Sequence, residues 1–482
     1  MGNLISALQS SAAAMQAFEQ ALETVGNDVS NSSTTDYAAQ TVSLEALPFQ
    51  PGQGLPGGVT VGAIQSSRDE FAERNVRQQV SLLGTEEATS QGLSSIQTNF
   101  TVSSDGGVAG ALNQLFSDFS SWSVSPTSTA AQQTVIDDAG QVAEQFQEMY
   151  GSLSQNLTNT GQAIQQSVSQ INSYASQLAT DNQQIQNGDT DDAGLDASIH
   201  STLESLSELT NITARQESNG TWTVLADGQT PLVMGTQTDQ LSVSFSTPAT
   251  APATVAGGTP PARIIDSEGN DVTYQMSQGE LSGQLQVYNT VLPSLIGNAY
   301  QQGGLNVLAQ GVADTVNNIL ESGNISDGPP AVPGIALFTY NAGAPTAVAS
   351  TLGVNPAATA GQLAAIEPGP PEVSNGIALQ LAALANPTTP TGQINGYSFA
   401  GYYGSLASQI GEQASDAQNQ LTVQQQTVAQ ARSLRSQISG VSLNEEAAKL
   451  IQFQNAYQAT AQTVNILDTL TQDTINMLPT TS

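Results

Sequence analysis

Apolar and small residues near the C-terminus recur in steps of three and four, the spacing of one face of an α-helix. In order, these residues are Leu443, Ala447, Leu450, Tyr457, Ala461, Val464, Ile475 and Leu478. No glycine or proline interrupts the run between Gly440 and Pro479, so the pattern predicts one helix of roughly 50 Å. Because such a helix has one apolar stripe and polar residues elsewhere, it needs a partner that covers the stripe.

The N-terminus offers a candidate partner with the same spacing. Its apolar positions are Ile5, Leu8, Ala12, Met15, Leu22, Val25 and Val29, and its Gln and Glu residues fall on the other faces of the helix. Turn-forming residues then cluster between Asn27 and Tyr37, where the helix should end. Both ends of the chain are therefore predicted to be amphipathic helices.

Between the two ends, the pattern is mostly helical. Short strands are predicted at 41–47 and 59–64 on either side of a Pro- and Gly-rich linker, and helices at about 68–99, 108–122, 129–187 and 195–209. The third of these helices should be a rod of several tens of ångströms. From Thr213 onwards, apolar and polar residues alternate in short segments that are separated by turn-forming residues. This pattern predicts β structure, with a surface loop at 247–261. Helical spacing returns at 281–320 and again at about 402–439.

This pattern predicts a mainly α fold with an elongated helical-bundle domain and a small β-rich excursion. The predicted divisions are a terminal domain made from residues 1–66 and 440–482, a helical domain made from 67–212 and 281–439, and a β-rich subdomain at 213–280. Residues 326–390 are rich in Pro, Gly and Ala and are predicted to contain only short elements.

The charge balance argues against two classes of partner. Acidic residues outnumber basic ones 41 to 8 in the 482 residues, so nucleic acid and anionic membranes have almost no electrostatic attraction to this chain. No stretch approaches eighteen consecutive apolar residues, and the first thirty residues lack Lys and Arg, so we expect neither a membrane span nor a cleaved secretory signal. The many uncharged polar residues have two possible explanations: the chain packs against further copies of itself, or its source organism favours this composition in general.

Catalytic and metal-binding patterns are missing from the sequence. It contains no cysteine, and its one histidine, His200, lies in a helical pattern where a surface or packing role is expected. Asp189, Asp191, Asp192 and Gly194 resemble part of a calcium loop, but Ala193 occupies a ligand position and His200 stands where the bidentate acid belongs. We therefore predict no enzyme activity, no metal and no cofactor.

The two chain ends resemble those of the bacterial flagellar axial proteins, the family of rod, hook and hook-associated proteins. The sequence Asn-Asp-Val-Ser-Asn at 27–31, followed by Tyr37, is similar to the N-terminal signature of the family. At the other end, residues 441–446 match its Val-x-Leu-x-x-Glu element and residues 454–459 match its Gln-x-Ala-Tyr-x-Ala element. Phe453 before Gln454, together with the long helical middle, resembles the hook-associated members rather than the hook and rod proteins.

One family motif is altered. The Gly-Tyr-x-Arg-Gln of the family appears here as Asp36, Tyr37, Ala38, Ala39 and Gln40, so the arginine that could form a salt bridge at this turn is missing.

The resemblance implies a structural subunit at the junction between hook and filament in the extracellular flagellum, exported unfolded through the type III apparatus. The implied partners are further copies of itself in a ring, the hook protein, the second hook-associated junction protein, and an export chaperone at the C-terminal helix. The terminal helices would pair as a coiled coil, with Leu443, Leu450, Tyr457 and Val464 against the N-terminal helix and other faces against neighbouring subunits.

Spacing and resemblance together nominate a set of assembly residues on the two terminal segments. They are Ile5, Leu8, Met15, Leu22, Val25, Val29, Asn31 and Tyr37 at the N-terminal end, and Leu443, Glu446, Leu450, Phe453, Gln454, Tyr457, Val464, Leu467 and Ile475 at the C-terminal end.

Two alternatives stay open from the sequence. One is another axial component, such as a hook or distal-rod protein. The other is a secreted, oligomeric effector or adhesin whose terminal helices serve only oligomerisation.

Because the stripes at both ends are covered fully only in an assembly, we expect residues 5–29 and 443–478 to be disordered in the dilute monomer and to fold on assembly. Hydrogen–deuterium exchange on the dilute chain should therefore show fast amide exchange in both segments. Strong protection of both segments in the monomer would contradict this expectation.

Overall fold

Long helices account for most of the computed structural model, so the mainly α fold predicted from the sequence is confirmed. The structure describes residues 2–50, 55–100, 106–189, 192–248, 255–328 and 330–476. In chain order the helices are α1 (Gly2–Asn31), α2 (Glu70–Gln97), α3 (Gly107–Val124), α4 (Thr129–Asn187), α5 (Ala193–Leu209), α6 (Glu280–Gln286), α7 (Leu292–Ile296), α8 (Gly304–Glu321), α9 (Val348–Thr351), α10 (Gly376–Ala382), α11 (Phe399–Ser439) and α12 (Leu443–Asn476).

The strands are short and all pair in antiparallel fashion. They are β1 (Gln40–Ala46), β2 (Phe49–Gln50), β3 (Leu55–Pro56), β4 (Val59–Ser66), β5 (Ile212–Gln216), β6 (Trp222–Ala226), β7 (Thr230–Met234), β8 (Gln237–Thr238), β9 (Ser242–Phe245), β10 (Ala262–Ile265), β11 (Asn324–Ser326), β12 (Val332–Pro333), β13 (Phe338–Thr339), β14 (Gly353–Val354), β15 (Gln393–Ile394) and β16 (Tyr397–Ser398).

The two ends of the chain form one layer of structure. Helices α1 and α12 pack along each other, and β1 and β4 pair as a hairpin that covers another side of α1. Asp28, near the end of α1, lies close to Glu446 at the start of α12, so the two helices run antiparallel. The predicted strands at 41–47 and 59–64 are thus the two arms of this hairpin.

The 59-residue helix α4 is the spine of the helical body. It has the predicted bounds because the Ser128 hydroxyl caps its N-terminus, accepting from the Ala131 amide, while Gly188 ends it at a φ of +115°. At 1.5 Å per residue its length is about 90 Å. Its buried face carries large apolar residues along most of that length, including Phe146 and Ile171, so it packs against α3, α5 and α6 in turn.

The remaining long helices pack as antiparallel neighbours. The N-terminal part of α2 lies beside the C-terminal part of α11, because Gln79 bonds Gln424 whereas Ser90 bonds Gln418. Where α3, α4 and α11 meet, they bury a group of aromatic side chains: Phe116, Phe119, Trp122, Phe146, Phe399 and Tyr403.

The β excursion predicted after Thr213 is present and rests on α4. Strands β5, β6, β7 and β8 form one antiparallel sheet in that order, and β9 pairs with β10. The side chain of Asn182 on α4 bonds both the N–H and the C=O of Trp222, at 2.7 and 2.8 Å, and Asn172 does the same for Leu241. Two asparagines on the rod therefore fix the position of the sheet.

Some predicted inner faces are wrong. Helical spacing groups Phe71 with Val80, Leu83 and Ile96 on the apolar side of α2, but Phe71 is 74% exposed. Leu434 and Ile438, which belong to the apolar pattern of α11, are also exposed. The inner face of these turns is occupied instead by charged residues that pair with one another, so apolar spacing alone chose the wrong side. Leu478, Asp191 and residues 249–254 of the predicted 247–261 loop lie outside the described residues.

A glycine in α2 marks a close approach between helices. A Cβ at Gly84 would collide with the backbone oxygen of Glu208 in α5 and the backbone nitrogen of Glu280 in α6. Gly84→Ala should therefore destabilise the protein by about 1–3 kcal/mol, because the backbones must move apart. Gly151→Ala on α4 is the matched control: it meets no atom within 4 Å and should stabilise by about 0.5–1 kcal/mol. Urea unfolding measures both, and equal effects would contradict the packing described.

Candidate assembly site at the joined chain ends

The inner face of α12 follows a strict seven-residue repeat. It runs through Glu446, Leu450, Phe453, Tyr457, Thr460, Val464, Leu467, Thr471 and Thr474, in alternating steps of four and three. Glu446 is buried and the others are half-buried against α1, the helix that packs along α12. This spacing is that of a coiled-coil seam. Leu450, Phe453, Tyr457, Val464 and Leu467, all nominated from the sequence, lie on it.

Other large apolar residues of α12 are not covered by α1. Leu443, Ile451, Ile466, Leu470 and Ile475 are all exposed, with Ile451 at 59%. The predicted placement of Leu443 against the N-terminal helix is therefore wrong, and Ile475 and the polar Gln454 also lie outside the seam. The apolar spacing was misleading because Thr460, Thr471 and Thr474 occupy seam positions that a search for apolar residues passes over.

On α1, burial follows small residues more than large ones. Ala17, Ala21, Thr24 and Val25 are buried, because α12 covers one side of the helix and the β1–β4 hairpin covers another. Of the nominated residues, Val25 is buried and Leu8, Met15 and Leu22 are half-buried, whereas Ile5 and Val29 are exposed, so the predicted stripe coincides only in part with the buried face. Asn31 ends the helix and donates to the side chain of Asn27 at 2.8 Å.

A buried carboxylate organises the turn after α1. Asp28 accepts a hydrogen bond from the Tyr37 hydroxyl at 2.7 Å and from the Gln40 amide at 2.9 Å. Burial raises the pKa of Asp28, and burial together with the bond to Asp28 raises the pKa of Tyr37. Glu446 lies nearby on α12 and receives the Lys449 ammonium at 2.7 Å. The turn, α1 and α12 thus meet around one set of polar groups.

The chain passes between the terminal layer and the helical body at two crossings, one between β4 and α2 and the other between α11 and α12. Ser439, the last residue of α11, holds these two crossings together. Its carbonyl accepts from the Ala39 amide at 2.9 Å and from the Ser67 hydroxyl at 3.0 Å. Its hydroxyl accepts from the Asp69 amide at 3.1 Å. The segment that follows β4 and the segment that leads into α12 are therefore held side by side.

Next to this crossing, Arg435 joins three carboxylates from three parts of the chain. Its Nη2 lies 2.5 Å from Asp36, and its Nη1 lies 2.6 Å from Glu204 and 3.2 Å from Glu73. Although burial acts to lower it, the pKa of Arg435 is raised by Glu204, Glu73 and Asp36. Asp36 has a φ of +59°, at the position where the family motif has glycine. The motif arginine is missing from this turn, but a salt bridge forms there nevertheless, because Arg435 reaches Asp36 from the other end of the chain.

Arg68 extends the same network on the other side. It contacts Glu73 at 2.6 Å and Asp196 at 2.9 Å, and it donates to the Asp36 carbonyl at 2.7 Å. Arg432 adds a contact to Glu204 at 2.6 Å. We name these side chains the junction ion cluster; its members are Asp36, Arg68, Glu73, Asp196, Glu204, Arg432 and Arg435. The cluster connects the turn after α1 to α2, α5 and α11.

His200 lies beside the cluster and is buried. Its ring meets the edge of Trp222 at 5.2 Å between centroids, and its Nε2 lies 3.6 Å from Asp196. Burial, with the charges of Arg68, Arg77 and Arg435, holds its pKa well below 6.5, so the ring is neutral. His200 therefore packs between the sheet and the cluster, in line with the packing role expected from the sequence.

The sequence reasoning missed the cluster and Asp28. One signal could have pointed to it: six of the eight Lys and Arg residues lie at 68–77 or 432–449, next to the two crossings. In a chain with 41 acidic residues, cations concentrated at two distant places indicate where carboxylates are buried together. Within the part of the chain that the structure describes, no group of acidic or histidine side chains is arranged to hold a metal ion, and no helix is long and apolar enough to cross a membrane.

Comparison with known proteins gives one consistent family. Residues 93–338 match the helical domain of flagellar hook-associated protein FlgK, and residues 432–477 match the C-terminal region of the flagellar basal body rod FlgEFG proteins. Flagellar hook-associated protein 1 of Bacillus subtilis (strain 168) is 25% identical over 97% of both chains. Its counterpart in Escherichia coli (strain K12) is 24% identical over 96% of this chain and 98% of its own.

The solved structure of the flagellar hook junction protein FlgK from Burkholderia pseudomallei has the same fold. It superposes with a TM-score of 0.63 over 76% of this chain and all of that chain, at 15% sequence identity. These relatives are hook-associated proteins, the group of axial proteins to which Phe453 and the long helical middle of this chain point.

Removing the central cation of the junction ion cluster should destabilise the fold strongly. Arg435→Met leaves Asp36, Glu73 and Glu204 buried without their shared partner, which should cost about 3–5 kcal/mol. Arg215→Met is the matched control, because Arg215 is 73% exposed and its one ion pair among the described residues is with the nearby Glu217; its effect should stay within about 1 kcal/mol. Urea unfolding gives both values, and a loss at Arg435 as small as that at Arg215 would show that the cluster holds nothing together.

His200 should make the fold sensitive to acid. Its folded pKa lies below its unfolded value of about 6.5, so below that pH the unfolded chain takes up a proton that the folded chain does not. The stability of the wild type relative to His200→Gln should therefore fall by up to about 1.4 kcal/mol per pH unit below pH 6.5. Asp28 and Asp36 act in the opposite direction, because their raised pKa values favour the folded state on acidification. Both residues are present in the wild type and in the variant, so their effect cancels in the difference between the two. A difference independent of pH would contradict the neutral, buried ring.

Proposed function

The chain belongs to the flagellar hook-associated protein family FlgK, and we propose that its copies join hook to filament by assembling through the paired helices α1 and α12. It is a structural protein of the hook–filament junction and a component of the extracellular flagellum. The match to the FlgK helical domain covers the sequence that distinguishes this family, whereas the match to the rod proteins covers only α12 and the end of α11. The longer match is to the FlgK helical domain, which favours the hook-associated assignment over the hook and distal-rod alternatives.

One observation carries the assembly proposal. The inner face of α12 packs on α1, and yet Ile451, Ile466 and Leu470 of the same helix are exposed. Exposed large aliphatic side chains on a helix are stabilised when another surface removes them from water, at about 25 cal/mol per Å². Neighbouring copies offer that surface in a closed or helical array, where each α12 meets the next one.

The nominated residues then divide into two roles. Leu450, Phe453, Tyr457 and Val464 hold the pair together within one subunit, and Leu443, Ile475, Ile5 and Val29 lie where neighbouring subunits approach. The partners that we propose are further copies in a ring, the hook protein, the second hook-associated junction protein, and an export chaperone that binds α12 before assembly. We propose that the chain is secreted unfolded by the flagellar type III apparatus and has no enzymatic role.

The proposed domains follow the same division. Residues 1–66 and 440–482 form the assembling domain, 67–212 and 281–439 form the helical domain, and 213–280 form the β-rich subdomain. In support, the crossings between the first two lie at Ser67 and Ser439, which are hydrogen-bonded to each other.

Cells that lack the protein provide the first test. Electron microscopy should show hooks without filaments, and filament subunits should appear in the medium. Cells with normal filaments would contradict the junction role.

A substitution on the α12 seam provides the second test. Leu450→Asp places a charge between α1 and α12 and should abolish or strongly reduce filament attachment, while the circular dichroism and unfolding midpoint of the helical body change little. Val124→Asp is the control, because Val124 is 83% exposed at the end of α3, far in sequence from the terminal helices. It should leave attachment unchanged. Normal filaments in the Leu450→Asp cells would refute assembly through this helix pair.

A further inference from the structure

Arg74 on α2 is the one basic residue without a carboxylate partner among the residues that the structure describes. Each of the others lies 3.6 Å or less from an acidic side chain. Arg74 is exposed, and its Nε donates to the Glu70 carbonyl of its own helix at 3.3 Å. Burial lowers the pKa of the nearby Arg77, and the charge of Arg74 lowers it further, so the two cations repel each other. In a chain with 41 acidic residues, Arg74 therefore has no ion pair that stabilises the fold.

Arg74 shares an exposed face of α2 with an aromatic side chain. Phe71 lies three residues before it and Gln78 four residues after it, a spacing that places the three side chains on one side of the helix. All three are exposed, and Phe71 is 74% exposed. We name these three residues the α2 base face. An apolar ring is stabilised when a partner removes it from water, and aromatic and arginine side chains are enriched at protein interfaces. The α2 base face thus has the composition of a docking surface.

The α2 base face lies beside the joint between the terminal layer and the helical body. Asp69 stands two residues before Phe71, and its amide donates to the Ser439 hydroxyl at 3.1 Å. Helix α12 begins at Leu443, four residues after Ser439, which is at most about 15 Å of chain. The α2 base face and the start of α12 are therefore at the same level of the subunit.

The start of α12 carries groups that complement the α2 base face. Leu443 is 55% exposed, and Glu445 is exposed and forms no ion pair with any residue that the structure describes. An exposed leucine can cover an aromatic ring, and a carboxylate can bind a guanidinium through two parallel hydrogen bonds. Because Phe71 and Arg74 are exposed as well, the two surfaces do not cover each other within one subunit.

We propose that the α2 base face of one copy docks on the start of α12 of the next copy, with Phe71 against Leu443 and Arg74 paired with Glu445. The proposal rests on the proposed self-assembly and extends the contact from the terminal helices to the helical body. Two different surfaces at one level of a subunit make a head-to-tail contact, and repetition of that contact generates a ring or a helical array. The ion pair fixes the register of the neighbours, because a shifted copy would leave Arg74 without its carboxylate.

An exchange of the two charges tests the pairing. Cells that carry Arg74→Glu or Glu445→Arg alone should retain at least about threefold fewer filaments under shear, because like charges then face each other at every contact. The double variant with both substitutions should restore retention to that of the wild type. Arg215→Glu is the matched control, because Arg215 is also an exposed arginine, and it should leave retention unchanged. Normal retention in both single variants, or a double variant no better than the weaker single one, would overturn the pairing.

The unfolding of the purified chain separates docking from a role in the fold. Arg74→Glu should keep the circular dichroism of the wild type and should unfold at the same or a higher temperature, because it removes a repulsion of Arg77 and breaks no ion pair. A markedly lower unfolding temperature would assign Arg74 to the fold and would overturn its docking role.

Photocrosslinking identifies the occupant of the face. A benzophenone amino acid in place of Phe71 keeps an aromatic side chain there, and illumination of intact flagella should join it to residues near Leu443 of a second copy. The same amino acid in place of Val124, which is 83% exposed at the end of α3, should give no such product. A crosslink from position 71 to the hook protein alone, to another protein alone, or to no protein would overturn the proposal.

Failure of this inference can be told from failure of the proposed function. If filaments stay attached in the Arg74→Glu and Glu445→Arg cells but are lost in the Leu450→Asp cells, the α2 base face is not a docking surface and assembly through α1 and α12 stands. If the Leu450→Asp cells also keep normal filaments, assembly through α1 and α12 fails as well.

Discussion

The junction ion cluster is the interaction on which the relation between the chain ends and the helical body depends. Arg435 and Arg68 bring together carboxylates from the turn after α1, from α2 and from α5 in a region from which water is largely excluded. There, charges attract more strongly than on the surface, but an unmatched charge is also more costly. The cluster therefore fixes one geometry for the joint, since sliding any helix would separate an arginine from its partners.

An element could be predicted from the sequence to the extent that its buried face is apolar. The bounds of α4 could be read from the sequence because its inner residues, from Val135 to Ile185, are nearly all aliphatic or aromatic between a serine cap and a glycine. The seam of α12 was predicted only in part, because threonines occupy three of its positions and two of the nominated apolar residues, Leu443 and Ile475, are exposed. The cluster could not be derived at all, because Arg435 meets Glu204 and Glu73 across 231 and 362 residues.

The junction ion cluster explains where most of the basic residues lie along the chain. Six of eight cations lie near the crossings, and the surfaces elsewhere are covered by uncharged Gln, Asn, Ser and Thr or by acids. A subunit that packs among copies of itself benefits from neutral polar faces, because like charges at close range repel. The exposed apolar residues of α12 and the many uncharged polar residues of the chain thus suit the same crowded setting in the flagellar junction.

The bond between Ser67 and Ser439 has a consequence for the order of events during folding. It closes a loop of 372 residues, so the joint cannot form until nearly the whole chain is present outside the ribosome or an export channel. Helices such as α4 need only local contacts and can form early, whereas the terminal layer must wait for the last forty residues. A chain that emerges N-terminus first therefore completes its assembling end last.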